Sequence, residues 1–169
     1  MTGTSNGSSA GVKADSAERL GLVQVGLALA GAGVAGYLTW TRLTGKTPVC
    51  VGLQGCDIVN ASRFAELLGL PVALWGLAAY LTLAGLGVAG LLPGLRAAVW
   101  VRVVAFGLAL GSWVFSIYLT AVEAFVLGAW CVWCVASAVI ITLLTAVCGI
   151  GFFQASRQAF RFDGGPGLG

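Results

Sequence analysis

The chain has 169 residues, of which 59% are hydrophobic and 9% charged, with nine Lys and Arg against six Asp and Glu and no His. Soluble domains carry about 25% charged residues, and a mean hydropathy of +0.97 excludes a water-solvated globule. A formal charge of +3 spread this thinly builds no basic face for nucleic acid.

Residues 1–19, rich in Ser, Gly and Thr with mixed charge, predict a disordered cytoplasmic tail. Four long stretches free of charge follow: 20–41, 67–95, 103–122 and 124–156. Each holds the ~20 apolar residues that cross a bilayer as helix, and the predicted spans lie near 20–41, 71–92, 97–119 and 131–153. The first run continues well past the ~7–15 residues of a signal-peptide core, so no cleavage is expected. The runs are continuously apolar rather than alternating, which argues against a closed barrel. Residues 20–153 are therefore expected to form one all-α, four-helix transmembrane domain, with 154–169 as a second cytoplasmic tail.

Between the first two spans, Asp57–Leu68 has Ile58, Ala61, Ala65 and Leu68 opposite Asn60, Arg63 and Glu66. That spacing predicts a short interfacial helix, capped by Asp57, that roofs the bundle. Pro71 suits the first turn of the second span.

Topology follows from the basic residues. Lys13, Arg19, Arg96, Arg102, Arg157 and Arg161 flank one side, against Arg42, Lys46 and Arg63 in the 43–70 loop. The excess predicts both termini in the cytoplasm of a plasma (inner) membrane protein. With four spans, the 43–70 loop and the 120–130 segment then share the extracytoplasmic side.

Two cysteine pairs fall there, Cys50/Cys56 and Cys131/Cys134, in the compartment where disulfides form. Cys131-Val-Trp-Cys134 opens the fourth span, so its thiols lie three residues apart on one helix face, close enough to pair. The helix N-terminus favours thiolate, the nucleophilic form. Cys50 and Cys56 enclose five residues, two of them glycine, a loop suited to exchange between pairs. Static bridges in a membrane scaffold or small transporter are the alternative reading. A zinc site is not expected, because C-x5-C departs from the usual zinc spacings. Cys148 lies fourteen residues beyond Cys134, about 21 Å along a helix, and reads as a core thiol on the cytoplasmic side. Ser137 shares a face with Cys134 and reads first as a backbone-bonded helix serine, with hydrogen-bond donation to a ligand oxygen as its alternative role. Trp130 and Trp133 read as interfacial anchors, with stacking on a ligand as the other possibility. Glu123 reads as an interface residue, with proton supply as its alternative role.

The motifs Cys50-x5-Cys56-Asp57-Ile-Val-Asn60, Leu68-Gly69-Leu70-Pro71, Tyr118-Leu-Thr-Ala-Val-Glu123 and Trp130-Cys131-Val-Trp-Cys134, in this order, resemble the vitamin K epoxide reductase family in its bacterial form. The resemblance runs from about residue 20 to 153. It implies a quinone-dependent thiol-disulfide oxidoreductase, with electrons passing from an extracytoplasmic thioredoxin-fold partner to Cys50/Cys56, on to Cys131/Cys134, and then to a membrane quinone, menaquinone or ubiquinone. The outcome would be extracytoplasmic disulfide formation. By the same resemblance, Cys50 exchanges with the partner, Cys56 attacks Cys131, and Cys134 reacts with quinone, with Ser137 and Trp133 as further quinone-binding candidates. Ala138 stands where the vertebrate enzymes have a tyrosine, so plain quinone reduction is expected rather than epoxide reduction. Many bacterial members carry a fused thioredoxin-like domain; none is expected here, so the resemblance implies a separate partner.

Overall fold

The computed structural model describes residues 6–50, 55–92 and 99–163. Residues 51–54 of the cysteine loop, Arg96 in the turn used for the charge count and the last six residues lie outside them. Five α-helices are formed: α1 Asn6–Leu43, α2 Cys56–Ala61, α3 Val72–Ala89, α4 Val99–Ala121 and α5 Val132–Asp163. Among the described residues, four stretches are long and apolar enough to cross a membrane: Glu18–Leu43, Val72–Ala89, Val99–Leu127 and Val132–Arg157. They match the four predicted spans, and the helices pack in a ring in which α1 touches α3 and α5, and α4 touches the same two. This is a four-helix membrane bundle.

Helix α1 begins at Asn6, inside the segment predicted as a tail, and α5 continues to Asp163, well past residue 153. Extending an existing helix adds one hydrogen bond per residue fixed, without a new nucleation step, so apolar spans carry helix into polar flanks.

The bundle is held as lipid-solvated bundles are, by close approach and interhelical hydrogen bonds rather than by hydrophobic contrast. Ala28, Ala32 and Ala35 on α1 are buried among Tyr80, Leu83 and Ala84 on α3 and Ile141, Leu144 and Cys148 on α5. A side chain at Gly31 would run into the Tyr80 ring, so this glycine admits the tyrosine to the bundle centre. Buried Gln24 donates to the Leu83 carbonyl at 3.0 Å, and Thr145 donates to the Ala109 carbonyl at 3.1 Å. Large apolar side chains such as Ile117, Leu143 and Phe153 face outward, as a lipid environment requires. Cys148 is buried in the core, where its position on the helix placed it.

Three terminations shape the end of the bundle that carries the cysteine pairs. Helix α1 stops at Gly45, which has φ +67°. The Lys46 N–H bonds the Thr41 carbonyl at 2.9 Å and the Gly45 N–H bonds that of Arg42 at 3.3 Å, the paired pattern of a Schellman cap. The expected roof helix over 57–68 is shorter than predicted. Helix α2 ends at Ala61, Ser62 turns extended with ψ 155°, and a 3-10 turn follows over Arg63–Ala65. Glu66–Leu67 (β1) and Leu70–Pro71 (β2) then pair antiparallel around Leu68 and Gly69, both at positive φ, as a two-residue hairpin turn demands. Gly55 rather than Asp57 occupies the N-cap of α2, and Pro71 stands at the N-cap of α3. The third span ends in a π-helical turn, Val122–Leu127, closed by Gly128 at φ +58°.

Candidate functional site

Cys131 is the N-cap of α5, its carbonyl accepting the Val135 N–H at 3.0 Å. This position aims the free N–H groups of the first helical turn at its sulfur. A Cys131 thiolate there accepts hydrogen bonds from the Cys134 thiol and from the Cys134 and Trp133 N–H groups, and its pKa is pushed down to about 7, the Cys134 thiol being the largest cause. Cys131 and Cys134 are both free thiols, Cys131 fully buried and Cys134 partly so. Cys50 and Cys56 form a disulfide, with Cα atoms 6.1 Å apart. The structure therefore holds one pair oxidised and the other reduced.

Contacts between the two pairs are specific. Gly55 lies so close to the Trp130 backbone that a Cβ at 55 would sit 2.7 Å from its N and 2.8 Å from its O. Cys56 and Cys131 directly follow these two touching residues, and both are fully buried. On the other side of the disulfide, Val49 is held twice. Its N–H donates to the Tyr37 hydroxyl at 2.9 Å, and its carbonyl accepts from the Trp133 indole N–H at 2.8 Å. Tyr37 and Trp133 themselves meet with ring centroids 4.8 Å apart. Trp133, the middle of the C-V-W-C, thus grips the chain immediately before Cys50.

Below the pairs lies a cavity of about 470 Å³, within the ~300–1,000 Å³ of ligand sites. Cys131 and Cys134 form part of its wall, with Ser137, Tyr80 and Glu123; Leu38, Val72, Phe115 and Leu119 make it largely apolar, and Val59, Asn60 and Phe64 cover it. The broken roof helix therefore does the covering expected of it. Of the predicted ligand-binding residues, Ser137 lines this cavity and Trp133 does not, because the Trp133 indole is committed to Tyr37 and Val49.

Of two further cavity residues, Tyr80 was not expected to act here and Glu123 only in its alternative role. The Tyr80 hydroxyl lies 2.9 Å from Ser137 Oγ and donates to the Ser137 carbonyl at 3.0 Å. The signal was a lone phenol in an apolar span, since a buried tyrosine needs a polar partner. Glu123 is 3% exposed, not an interface residue. Its Oε2 accepts the Cys131 N–H at 3.2 Å, and its carboxyl is hydrogen-bonded to Cys134. Its signal was an ionisable residue within a span. Among the described residues no cluster of His, Cys, Asp or Glu could hold a metal.

A prediction follows from the capped thiolate. Because the Cys131 pKa is lowered, its rate of alkylation by a small apolar maleimide should rise with pH, reach half its maximum near pH 7 and level off above. In Cys134→Ala, which removes the largest hydrogen bond, that midpoint should move to higher pH. Peptide mapping of the Cys131 adduct across pH 5–10 checks both.

A multi-pass helical bundle in which an oxidised loop pair abuts a reduced C-x-x-C at the head of a span defines a membrane redox protein that works on disulfides. The chain belongs to the vitamin K epoxide reductase family, whose model matches residues 22–148. The matched region contains both cysteine pairs and all four spans except the start of the first and the end of the last.

Proposed function

We propose that this protein is a quinone-linked thiol oxidase that passes electrons from an extracytoplasmic thioredoxin-fold protein to a membrane quinone, with both termini cytoplasmic. The observation that carries this reading is the reduced Cys131/Cys134 pair, which walls an apolar cavity on one side and abuts the loop disulfide on the other.

Quinone, when bound, supplies an acceptor for two electrons and two protons. The cavity suits it: apolar walls for the ring, two thiols at one end, and the hydroxyls of Tyr80 and Ser137 one helical turn below Cys134. With Ser137 Oγ–H donating to the Tyr80 oxygen, the Tyr80 proton can turn from the Ser137 carbonyl to a ligand oxygen.

The relay balances as follows. The partner's dithiol reduces the Cys50–Cys56 disulfide and leaves oxidised. Cys56 thiolate attacks Sγ of Cys131 in the Cys131–Cys134 disulfide, which breaks and releases Cys134 as thiolate. Cys50 then attacks Cys56, re-forming the loop disulfide and expelling Cys131, whose low pKa makes it a good leaving group. The state in the structure, loop oxidised and C-x-x-C reduced, is the product of this step. Cys134, the thiol one helical turn from Ser137, then delivers the electron pair as Cys131 closes the disulfide.

The test is to add the reduced protein in detergent or nanodiscs to a short-chain quinone and follow thiol loss with quinol appearance. One quinol should form for each pair of thiols lost. Thiols that persist beside the quinone would leave static, structural cysteines as the better reading.

A further inference from the structure

Oxidising a C-x-x-C dithiol sheds two protons and reducing a quinone takes up two, beside a cavity walled largely by apolar side chains, where a proton carrier at the thiols would speed the transfer. The single S–H proton of Cys134 has two acceptors in reach, the Cys131 sulfur and the Glu123 carboxylate. Glu123 is nine-tenths buried or more and faces the same cavity as Cys134. Its backbone is fixed too, because the π-helical turn directs both the Gly128 and the Ala129 N–H groups to the Glu123 carbonyl. Such turns recur at functional sites. Among the described residues, the two cysteines of the α5 end touch its carboxyl, Cys134 by its thiol and Cys131 by its N–H, Tyr80 on α3 lines the same cavity with its hydroxyl engaged by Ser137, and Asp57 on α2 and Tyr118 on α4 are exposed.

We propose that Glu123 is a catalytic residue, the general base that takes the Cys134 thiol proton and returns it to the reduced acceptor. This rests on the quinone-linked reading. In the step, the Cys134 S–H bond breaks and its proton passes to the Glu123 carboxylate. The sulfur's electron pair moves to the acceptor while the Cys131 sulfur, as thiol or thiolate, joins Cys134. The Glu123 O–H then gives its proton to one acceptor oxygen, and the second proton comes from the Cys131 thiol or, where Cys131 is already thiolate, from solvent. Glu123 ends as carboxylate, still holding the Cys131 N–H.

Glu123→Gln retains an oxygen for the Cys131 N–H but cannot accept a proton, and Glu123→Asp retains the base on a shorter arm. General-base removal costs about 10²–10⁴-fold, so Glu123→Gln should slow single-turnover quinol formation at least 10²-fold, with exchange between the loop pair and a small dithiol within a few-fold of wild type. A second readout needs no quinone: alkylation of Cys134 by an apolar maleimide, located by peptide mapping. In the wild type, transfer to Glu123 supplies thiolate without release to water, so the rate should vary little between pH 6 and 8. In Glu123→Gln it should rise about tenfold per pH unit, as for an unassisted thiol. Glu123→Asp should keep the shallow profile and recover part of the quinol rate. Wild-type profiles in Glu123→Gln, or an Asp variant that behaves like the Gln variant in both readouts, would overturn the proposal and leave Glu123 as a structural acceptor. Absence of quinol formation by the wild-type protein would instead sink the quinone-linked reading, while the alkylation profiles would still decide the role of Glu123 as a base.

Discussion

Replacing Cys134 by serine is expected to abolish quinol formation, by on the order of 10⁴-fold or more, since losing the nucleophile of a concerted unit costs about as much as losing the unit. Both thiols line the cavity, but Cys134 is the partly exposed one, a helical turn from Ser137, whereas Cys131 is fully buried at the helix cap. The variant keeps Cys50, Cys56 and Cys131, so reduction of the loop disulfide by a soluble dithiol should continue within a few-fold of wild type. Serine is close to cysteine in size and its hydroxyl can still donate to Glu123 or Cys131, so the bundle should fold. Stopped-flow quinol formation beside loop-disulfide reduction separates the two half-reactions. Near-normal quinone turnover in Cys134→Ser, with turnover lost in Cys131→Ser, would reverse the assigned roles.

Which parts of this site were legible in the sequence follows from the range of the forces involved. The spans were readable because charges such as Arg19, Arg42, Glu66 and Arg102 bracket them, and exclusion of charge from lipid is a composition rule that needs no partner. Cys131 at the head of a helix was readable because the apolar run starts there. The break of the roof at Ser62 was not, because the amphipathic spacing of Ile58, Ala61, Ala65 and Leu68 continues through it. Locally, Ser62 bonds back to the Val59 carbonyl through both its hydroxyl, at 2.8 Å, and its N–H, at 3.2 Å, and the hairpin turn at Leu68-Gly69 fixes the rest. The π-helical turn likewise has no periodic signature, only Gly128 at its end. Trp133 and Glu123 were misplaced by the same rule, that aromatic and ionisable residues near span ends sit at the lipid interface. Each instead meets a partner distant in sequence or across the turn: Val49 for Trp133, and the two thiols for Glu123. Tertiary pairing of this kind leaves no trace in hydropathy.

A single added methyl group at Gly55 should uncouple the two cysteine pairs. The ideal Cβ there meets the backbone N and O of Trp130 at 2.7 and 2.8 Å, separations that a side chain cannot relieve by rotating, because the obstacle is main chain. Gly55→Ala must therefore shift the Gly55-Cys56 segment away from Trp130-Cys131 by a substantial part of an ångström. Displacements of about 1 Å cost reactions between positioned groups about 10²-fold, and disulfide exchange needs the attacking and attacked sulfurs aligned. The expected result is a ~10²-fold slower transfer from Cys56 to Cys131. In a Cys50→Ala/Cys134→Ala background only the Cys56–Cys131 bridge remains available to the relay cysteines, so its rate of formation under mild oxidant, with and without Gly55→Ala, measures the coupling directly. The spans and cavity lie outside this contact, so quinol formation from chemically reduced Cys131/Cys134 should stay within a few-fold of wild type. Equal rates of bridge formation would mean that the loop moves freely enough to reach Cys131 from elsewhere, and that the close backbone approach at Gly55 has no part in the relay.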